Sequence, residues 1–110
     1  MRDGSDDLVV DVTHDGATTI VVAHGEIDVA TSDHLERALA ALADDGGDGD
    51  VVVELGSVTF MDSSGLRALL TGKRVVEDAG LSLRVGTASA PVRRVLEIAG
   101  LAAVLRLPGP

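Results

Sequence analysis

Apolar and polar positions along the first quarter of this chain follow the pattern of β-strands. Residues 8–13 are rich in β-branched side chains, and the Asp15-Gly16 dipeptide that follows is a strong signal for a hairpin turn. Residues 17–25 then return to apolar and β-branched side chains. The pattern predicts an antiparallel hairpin at the start of the fold.

Three later stretches repeat apolar side chains every three or four residues, which is the spacing of one helix face. The apolar positions are Leu35, Ala38, Leu39 and Leu42 in the first, Leu66, Leu69, Leu70 and Val76 in the second, and Val92, Val95, Leu96 and Ala99 in the third. Thr31 or Ser32 could cap the first helix. Pro91 suits the first turn of the third helix, and Gly100 is its expected stop. The sequence therefore predicts three amphipathic helices.

Apolar runs between these helices predict further strands. Residues 51–55 are apolar except for Glu54, which indicates a strand buried on both faces, and residues 81–85 form a shorter run. The segment from Phe60 to Leu66 is expected where the loop that leaves the buried strand enters the second helix, and residues 101–107 are expected to form a last edge strand or short helix. Strand–helix–strand units imply right-handed parallel crossovers, and the opening hairpin adds an antiparallel pair. The predicted fold class is therefore α/β, with a mixed four- to five-stranded sheet and helices packed on it.

The length of 110 residues has room for one domain. We expect a flexible N-terminal segment over residues 1–7, a single domain over residues 8–107 and a flexible C-terminus over residues 108–110. The first seven residues, MRDGSDD, are unlike a signal peptide, and no apolar run is long enough to span a bilayer. These features predict a cytoplasmic protein.

Composition and charge narrow the kind of partner. The chain carries 18 acidic and 9 basic residues, a net charge of −9, whereas binding to nucleic acid or to an anionic membrane needs a basic surface. Phe60 is the only aromatic residue, so a stacking site for bases is excluded. Cysteine is absent, which excludes disulfides and thiolate chemistry. The expected partner is a protein that presents Lys and Arg, with neither nucleic acid nor membrane involved.

Signals for metal binding and catalysis are weak. Residues 44–50 hold four carboxylates, but they lack the Gly and Glu positions of an EF-hand, so an ordinary solvated loop is expected. The three histidines form no zinc motif. The Gly-x-Ser-x-Gly nucleophile elbow is missing, because Met61 stands two residues before Ser63. We expect no metal and no cofactor, and a small hydrolase is only a distant alternative.

The segment from Phe60 to Leu66, FMDSSGL, offers two interpretations. Asp62 is a good N-cap, so the segment could be simple capping chemistry with Gly65 as a tight packing point. Alternatively, the hydroxyls of Ser63 and Ser64 stand at the positive end of a helix, where an added phosphate is tolerated. The residues alone leave both interpretations open.

Three segments together resemble one protein family. They are residues 25–28 (GEID), residues 58–66 (VTFMDSSGL) and residues 92–101 (VRRVLEIAGL). In this order they resemble the STAS domain, and more narrowly the bacterial anti-sigma factor antagonists, over about residues 8–107. The resemblance thus covers nearly the whole chain.

The resemblance implies a regulatory binding protein and not an enzyme. Such antagonists bind an anti-sigma factor, often a serine kinase that uses ATP, and so release a sigma factor. The kinase inactivates the antagonist by phosphorylating the residue that is Ser63 here, and a phosphatase reverses this. The resemblance also implies a docking surface lined by Asp28, Asp62, Ser64 and Gly65, where Gly65 would let the partner backbone approach closely. A STAS binding module in a lipid-transport or sensor complex remains an alternative.

Overall fold

A computed structural model describes residues 7–45 and 49–109. The elements, in chain order, are β1 (Leu8–Asp15), β2 (Thr18–Ile27), α1 (Ser32–Asp45), β3 (Asp50–Met61), α2 (Ser63–Asp78), β4 (Ser82–Ala88) and α3 (Ala90–Ile98). Residues 1–6 and residue 110 of the expected flexible termini, and residues 46–48 of the expected acidic loop, lie outside the described ranges. Asp44 and Asp45, also assigned to that loop, instead form the last turn of α1.

The four described strands form one mixed sheet in the order β1-β2-β3-β4. The β1–β2 pair is antiparallel, and the β2–β3 and β3–β4 pairs are parallel. Each parallel pair is joined through a helix, as the alternation of apolar runs and helical stretches predicts. The α/β fold class is confirmed.

The hairpin turn lies one residue later than its sequence signal indicates. Asp15 pairs with Thr18, so the turn consists of Gly16 and Ala17. Gly16 has a φ of 63°, and glycine at the first central position is what a type II′ turn requires. Asp15 therefore ends the strand instead of entering the turn.

All three helices contribute to one aliphatic core with the sheet. Its fully buried helix residues include Leu35 and Leu39 of α1, Leu69 and Val76 of α2, and Val92 and Leu96 of α3. Leu70, expected to be buried, is 36% exposed, whereas Ala68 and Gly72 of the same helix are buried. A Cβ atom on Gly72 would lie 2.4 Å from Leu39 Cδ1, so the small residues of α2 let it pack closely against α1.

Residues 56–61 are part of β3, which runs to Met61, so Phe60 and Met61 belong to the strand and not to the loop expected after it. Val58 pairs with Gly25 and Met61 with Ile27, and at each of the two register shifts of this strand pair β3 holds one extra residue. The buried side chains of Val58 and Met61 anchor this half of the strand in the core. The strand therefore delivers the chain directly to the start of α2.

Residues 101–107 form turns, and neither the edge strand nor the short helix expected there is present. The Leu105 N–H donates to the Leu101 carbonyl at 3.0 Å, and Arg106 then takes a φ of 54°, which ends the turn. Leu105 is buried, and its carbonyl accepts a hydrogen bond from the Val85 N–H at 2.9 Å. This segment thus joins the core without extending the sheet. Among the described residues, no helix is long and apolar enough to cross a bilayer.

Candidate functional site

The strand order of the sheet brings two sequence motifs together at one edge. Ile27 at the end of β2 pairs with Met61 at the end of β3, and these strands are parallel. The Asp62 N–H also donates to the Ile27 carbonyl at 3.3 Å. The turn that begins at Asp28 and the start of α2 are therefore neighbours, as expected for the carboxyl ends of parallel strands.

Asp62 caps α2 as its sequence position predicts. Its Oδ1 accepts a hydrogen bond from the Ser64 N–H at 2.8 Å, and its carbonyl accepts from the Gly65 N–H at 3.0 Å. These bonds satisfy donors that the first turn of a helix leaves open. The cap leaves Ser63, the first residue of α2, exposed to solvent, and Ser64 half-buried.

Asp28 organises the turn between β2 and α1. Its Oδ1 accepts from the Ala30 N–H at 2.9 Å and from the Thr31 N–H at 3.1 Å. Asp28 is half-buried, so one carboxylate oxygen is engaged in holding its own turn. A partner that binds Asp28 therefore meets a carboxylate whose position is already fixed.

Thr31 has a role that differs from the helix cap expected from the sequence. The residue is 1% exposed, and its Oγ1 donates to the Glu26 carbonyl at 2.8 Å and accepts from the Asp28 N–H at 2.9 Å. The hydroxyl thus ties the turn back to β2 instead of capping α1. Both bonding partners precede Thr31 in the chain, whereas the N–H groups that a helix cap satisfies follow the capping residue.

Gly65 faces the interior of the protein. It is buried, and a Cβ atom there would lie 2.4 Å from Met61 Cγ and 2.9 Å from Ile27 Cγ2. The absence of a side chain lets the first turn of α2 pack on the ends of β2 and β3. This corrects the expectation that Gly65 lines the docking surface, and it supports the packing interpretation of this residue. Asp28, Asp62, Ser63 and Ser64 remain at least partly accessible.

A groove of about 550 Å³ lies between α1 and α2, beside the phosphorylation candidate. It is lined by Val29, Ser32, Asp33, Glu36, Ser64, Arg67 and Thr71. Ser64 belongs both to the capped helix start and to the groove. Glu36 of α1 is half-buried where it lines this groove.

The described residues contain no group of three or more His, Asp and Glu side chains placed to hold a metal ion. The carboxylates of Asp28 and Asp62 are instead bonded to backbone N–H groups of their own turns. The arrangement therefore presents an exposed hydroxyl, that of Ser63, beside groups that can form hydrogen bonds with another protein. The absence of a metal and of a cofactor stays a prediction.

Comparison with known families decides where the chain belongs. The family model described as the STAS domain matches residues 9–108. The chain belongs to the STAS domain family. This STAS domain is 30% identical over 94 residues to a protein of Paenibacillus polymyxa named anti-sigma F factor antagonist, covering 86% of this chain and 80% of that protein.

Two further comparisons agree in fold and in kind of protein. The anti-sigma-B factor antagonist of Bacillus subtilis strain 168 is 34% identical over 92 residues, covering 84% of this STAS domain and 83% of that protein. The crystal structure of an anti-sigma factor antagonist from Mycobacterium paratuberculosis superposes with a TM-score of 0.78 at 27% identity, covering 91% of this chain and 84% of that one. The resemblance found from three sequence motifs is confirmed at the level of the family.

Proposed function

We propose that this STAS domain is an anti-sigma factor antagonist that binds an anti-sigma factor and thereby releases a sigma factor. The names of its relatives support this, because proteins similar to it over more than four-fifths of their length are anti-sigma factor antagonists. The net charge of −9 is consistent with a protein partner that presents basic residues. A cytoplasmic location and the absence of nucleic-acid and membrane binding stay predictions of the same proposal.

The proposed partner is a serine kinase that inactivates the antagonist at Ser63. The observation that carries this is the exposed Ser63 hydroxyl on the first residue of α2, next to the cap formed by Asp62. The hydroxyl oxygen attacks the γ-phosphorus of ATP held by the kinase, ADP leaves, and the hydroxyl proton passes to the kinase. A phosphatase restores the hydroxyl by hydrolysis. ATP is the kinase's substrate, so the antagonist needs no cofactor.

The added phosphate acts on the complex and not on the fold. It carries about −1.5 to −2 charges at neutral pH, and the positive end of α2 tolerates it in the free protein. At a docked surface it needs room and solvation. An acidic group of the partner ~5 Å away would raise the energy by about 3 kcal/mol per unit-charge pair at an effective dielectric of ~20.

The docking surface is proposed to include Asp28, Asp62 and Ser64, all at the edge where β2 and β3 end. Asp28 and Asp62 hold the two turns beside Ser63 in place through bonds to Ala30 and Ser64. Gly65 supports this surface from below. A partner that docks on this surface would meet two turns whose shapes are already fixed by hydrogen bonds.

Phosphorylation by the cognate anti-sigma factor tests the proposal. The wild-type protein, Ser63→Ala and Ser64→Ala are incubated with the purified kinase and ATP, and the products are analysed by intact mass and site mapping. We expect one phosphate on the wild-type protein and on Ser64→Ala, and none on Ser63→Ala. Ser63→Ala should also bind the anti-sigma factor and resist inactivation.

Two results contradict the proposal in different ways. Phosphate on Ser64 alone, or equal partner affinity before and after modification of Ser63, would refute the switch. Absence of binding to any anti-sigma factor, together with stable co-purification with transporter or sensor subunits, would instead favour the alternative STAS binding module.

A further inference from the structure

Arg67 lies one helical turn after Ser63 on the outward face of α2. Both residues are exposed, and the same face continues through Leu70 and Arg74. Residues four apart on a helix are neighbours on its surface, within reach of an ion pair between their side chains. A charged group on Ser63 therefore has Arg67 as its nearest cation along the helix.

Arg67 differs from the other cations of α2 in its helical neighbours. Lys73 pairs with Glu77 at 2.8 Å, and Arg74 has Asp78 four residues further on. The positions three and four residues from Arg67 are instead Ser63, Ser64, Leu70 and Thr71, none of which carries a charge. The helix itself thus offers Arg67 no carboxylate.

The groove between α1 and α2 gives Arg67 no direct ion-pair partner either. Asp33 and Glu36 line the opposite wall, yet within the described part of the chain neither forms an ion pair with Arg67. Arg67 is the fifth residue of α2 and so lies just after the first turn, whose open N–H groups favour an anion. A negative charge at Ser63 would pair with the Arg67 guanidinium and would also interact favourably with the positive end of the α2 dipole.

We propose that Arg67 is the binding partner of the phosphoryl group on phospho-Ser63. This inference rests on the proposed function, since it assigns a receptor to the phosphate proposed there. The guanidinium presents a planar fork of donors that suits two phosphate oxygens at once. When Arg67 moves toward Ser63, the groove loses its cation, and its lining, which holds Asp33 and Glu36, becomes more negative. Phosphorylation then alters the surface of α1 as well as that of α2.

The test measures the second ionisation of the phosphate directly. Phosphoserine is installed at position 63 during translation, and the ³¹P chemical shift is followed against pH at low ionic strength. Because a nearby cation favours the dianion, the pKa of phospho-Ser63 should be higher in Arg67→Gln than in the wild type. An exposed i,i+4 pair changes an equilibrium constant about twofold, which corresponds to a pKa difference of about 0.3.

Arg74→Gln is the matched control, because it removes one exposed arginine of α2 that lies too far from Ser63 to touch the phosphate. Its phosphate pKa should equal that of the wild type, and the difference seen with Arg67→Gln should shrink in about 1 M salt. Equal pKa values for wild type and Arg67→Gln at low salt would overturn the inference. So would an equal change in both arginine variants.

The outcome is independent of the kinase. Because translation installs the phosphoserine, a kinase that ignores Ser63 would refute the proposed function without changing this titration. Conversely, a kinase that phosphorylates Ser63 normally would leave the proposed function intact if Arg67→Gln had no effect on the phosphate.

Discussion

The starts of α2 and α3 are built alike but present different surfaces. A single residue separates each helix from the parallel strand before it, Asp62 between β3 and α2 and Ser89 between β4 and α3. Each capping residue is in an extended conformation and accepts a hydrogen bond from a backbone N–H of the first turn. The two helix starts therefore solve the same local problem of unpaired N–H groups.

The two caps differ in what else they bind. The Ser89 hydroxyl accepts from the Val92 N–H at 3.5 Å and also donates to the Val58 carbonyl, which ties α3 to β3. The residues after it, Ala90 and Pro91, are exposed but carry no hydroxyl. At α2 the cap is a carboxylate, and the exposed residue after it is Ser63. Similar backbone geometry thus gives a surface without a hydroxyl in one case and an exposed serine hydroxyl in the other.

The third residue of each helix faces the core, and here the difference is one of space. In α3 this residue is Val92, which is fully buried. In α2 it is Gly65, because Met61 and Ile27 already occupy the space a side chain would need. Because α2 packs closely on the ends of β2 and β3, the packing beneath the helix sets the position of the Ser63 hydroxyl.

Gly65→Val, which gives α2 the residue found at the third position of α3, should have the largest effect on stability. The new side chain overlaps Met61 and Ile27, and such overpacking typically costs about 1–3 kcal/mol. Urea unfolding, with an unchanged m-value, measures the loss. Unchanged stability together with weaker partner binding would show that Gly65 acts at the docking surface after all.

Ser63→Asp, and more strongly phospho-Ser63, should separate stability from binding. The anion stabilises the start of α2 by about 0.3–1 kcal/mol, so the free protein should unfold no earlier than the wild type. Affinity for the anti-sigma factor should fall about thirtyfold, which corresponds to roughly 2 kcal/mol. Calorimetric titration and thermal unfolding check the two halves, and a loss of stability equal to the loss of binding would contradict the separation.

Asp62→Ala and Ser89→Ala compare the two caps directly. Loss of an N-cap side chain typically costs about 1 kcal/mol, so Asp62→Ala should lower the free energy of unfolding by this amount, as measured by urea denaturation. Ser89→Ala should cost more, since it also leaves the carbonyl of the buried Val58 without its hydroxyl donor. The comparison fails if Asp62→Ala proves the more destabilising of the two.

Ala90→Ser places a hydroxyl on the first residue of α3 and should have the smallest effect. The position is exposed, so the change in unfolding free energy should stay within about 0.5 kcal/mol. The double variant Ser63→Ala with Ala90→Ser tests whether the kinase phosphorylates a serine merely because it is the first residue of a helix. We expect site mapping to find no phosphate at position 90 of this double variant, because the Asp28 turn and the α1–α2 groove do not adjoin the start of α3.

Local features of the sequence are enough to predict much of the fold and the frame of the site. The three helices, the cap at Asp62 and Pro91 in the first turn of α3 all depend on residues within about four positions of each other. The antiparallel hairpin and the apolar run beginning at residue 51 are predictable for the same reason. The exposed Ser63 hydroxyl follows directly from the cap that precedes it.

Tertiary structure decides the features that depend on distant residues. The second half of β3, residues 56–61, forms a strand because β2, more than 30 residues earlier, supplies its backbone partners. The orientation of Gly65 follows from how α2 packs on the ends of β2 and β3. The neighbourhood of Arg67 across the groove likewise requires α1 to lie beside α2. Periodicity defines which face of a helix is apolar, but contacts between separate elements determine what that face meets.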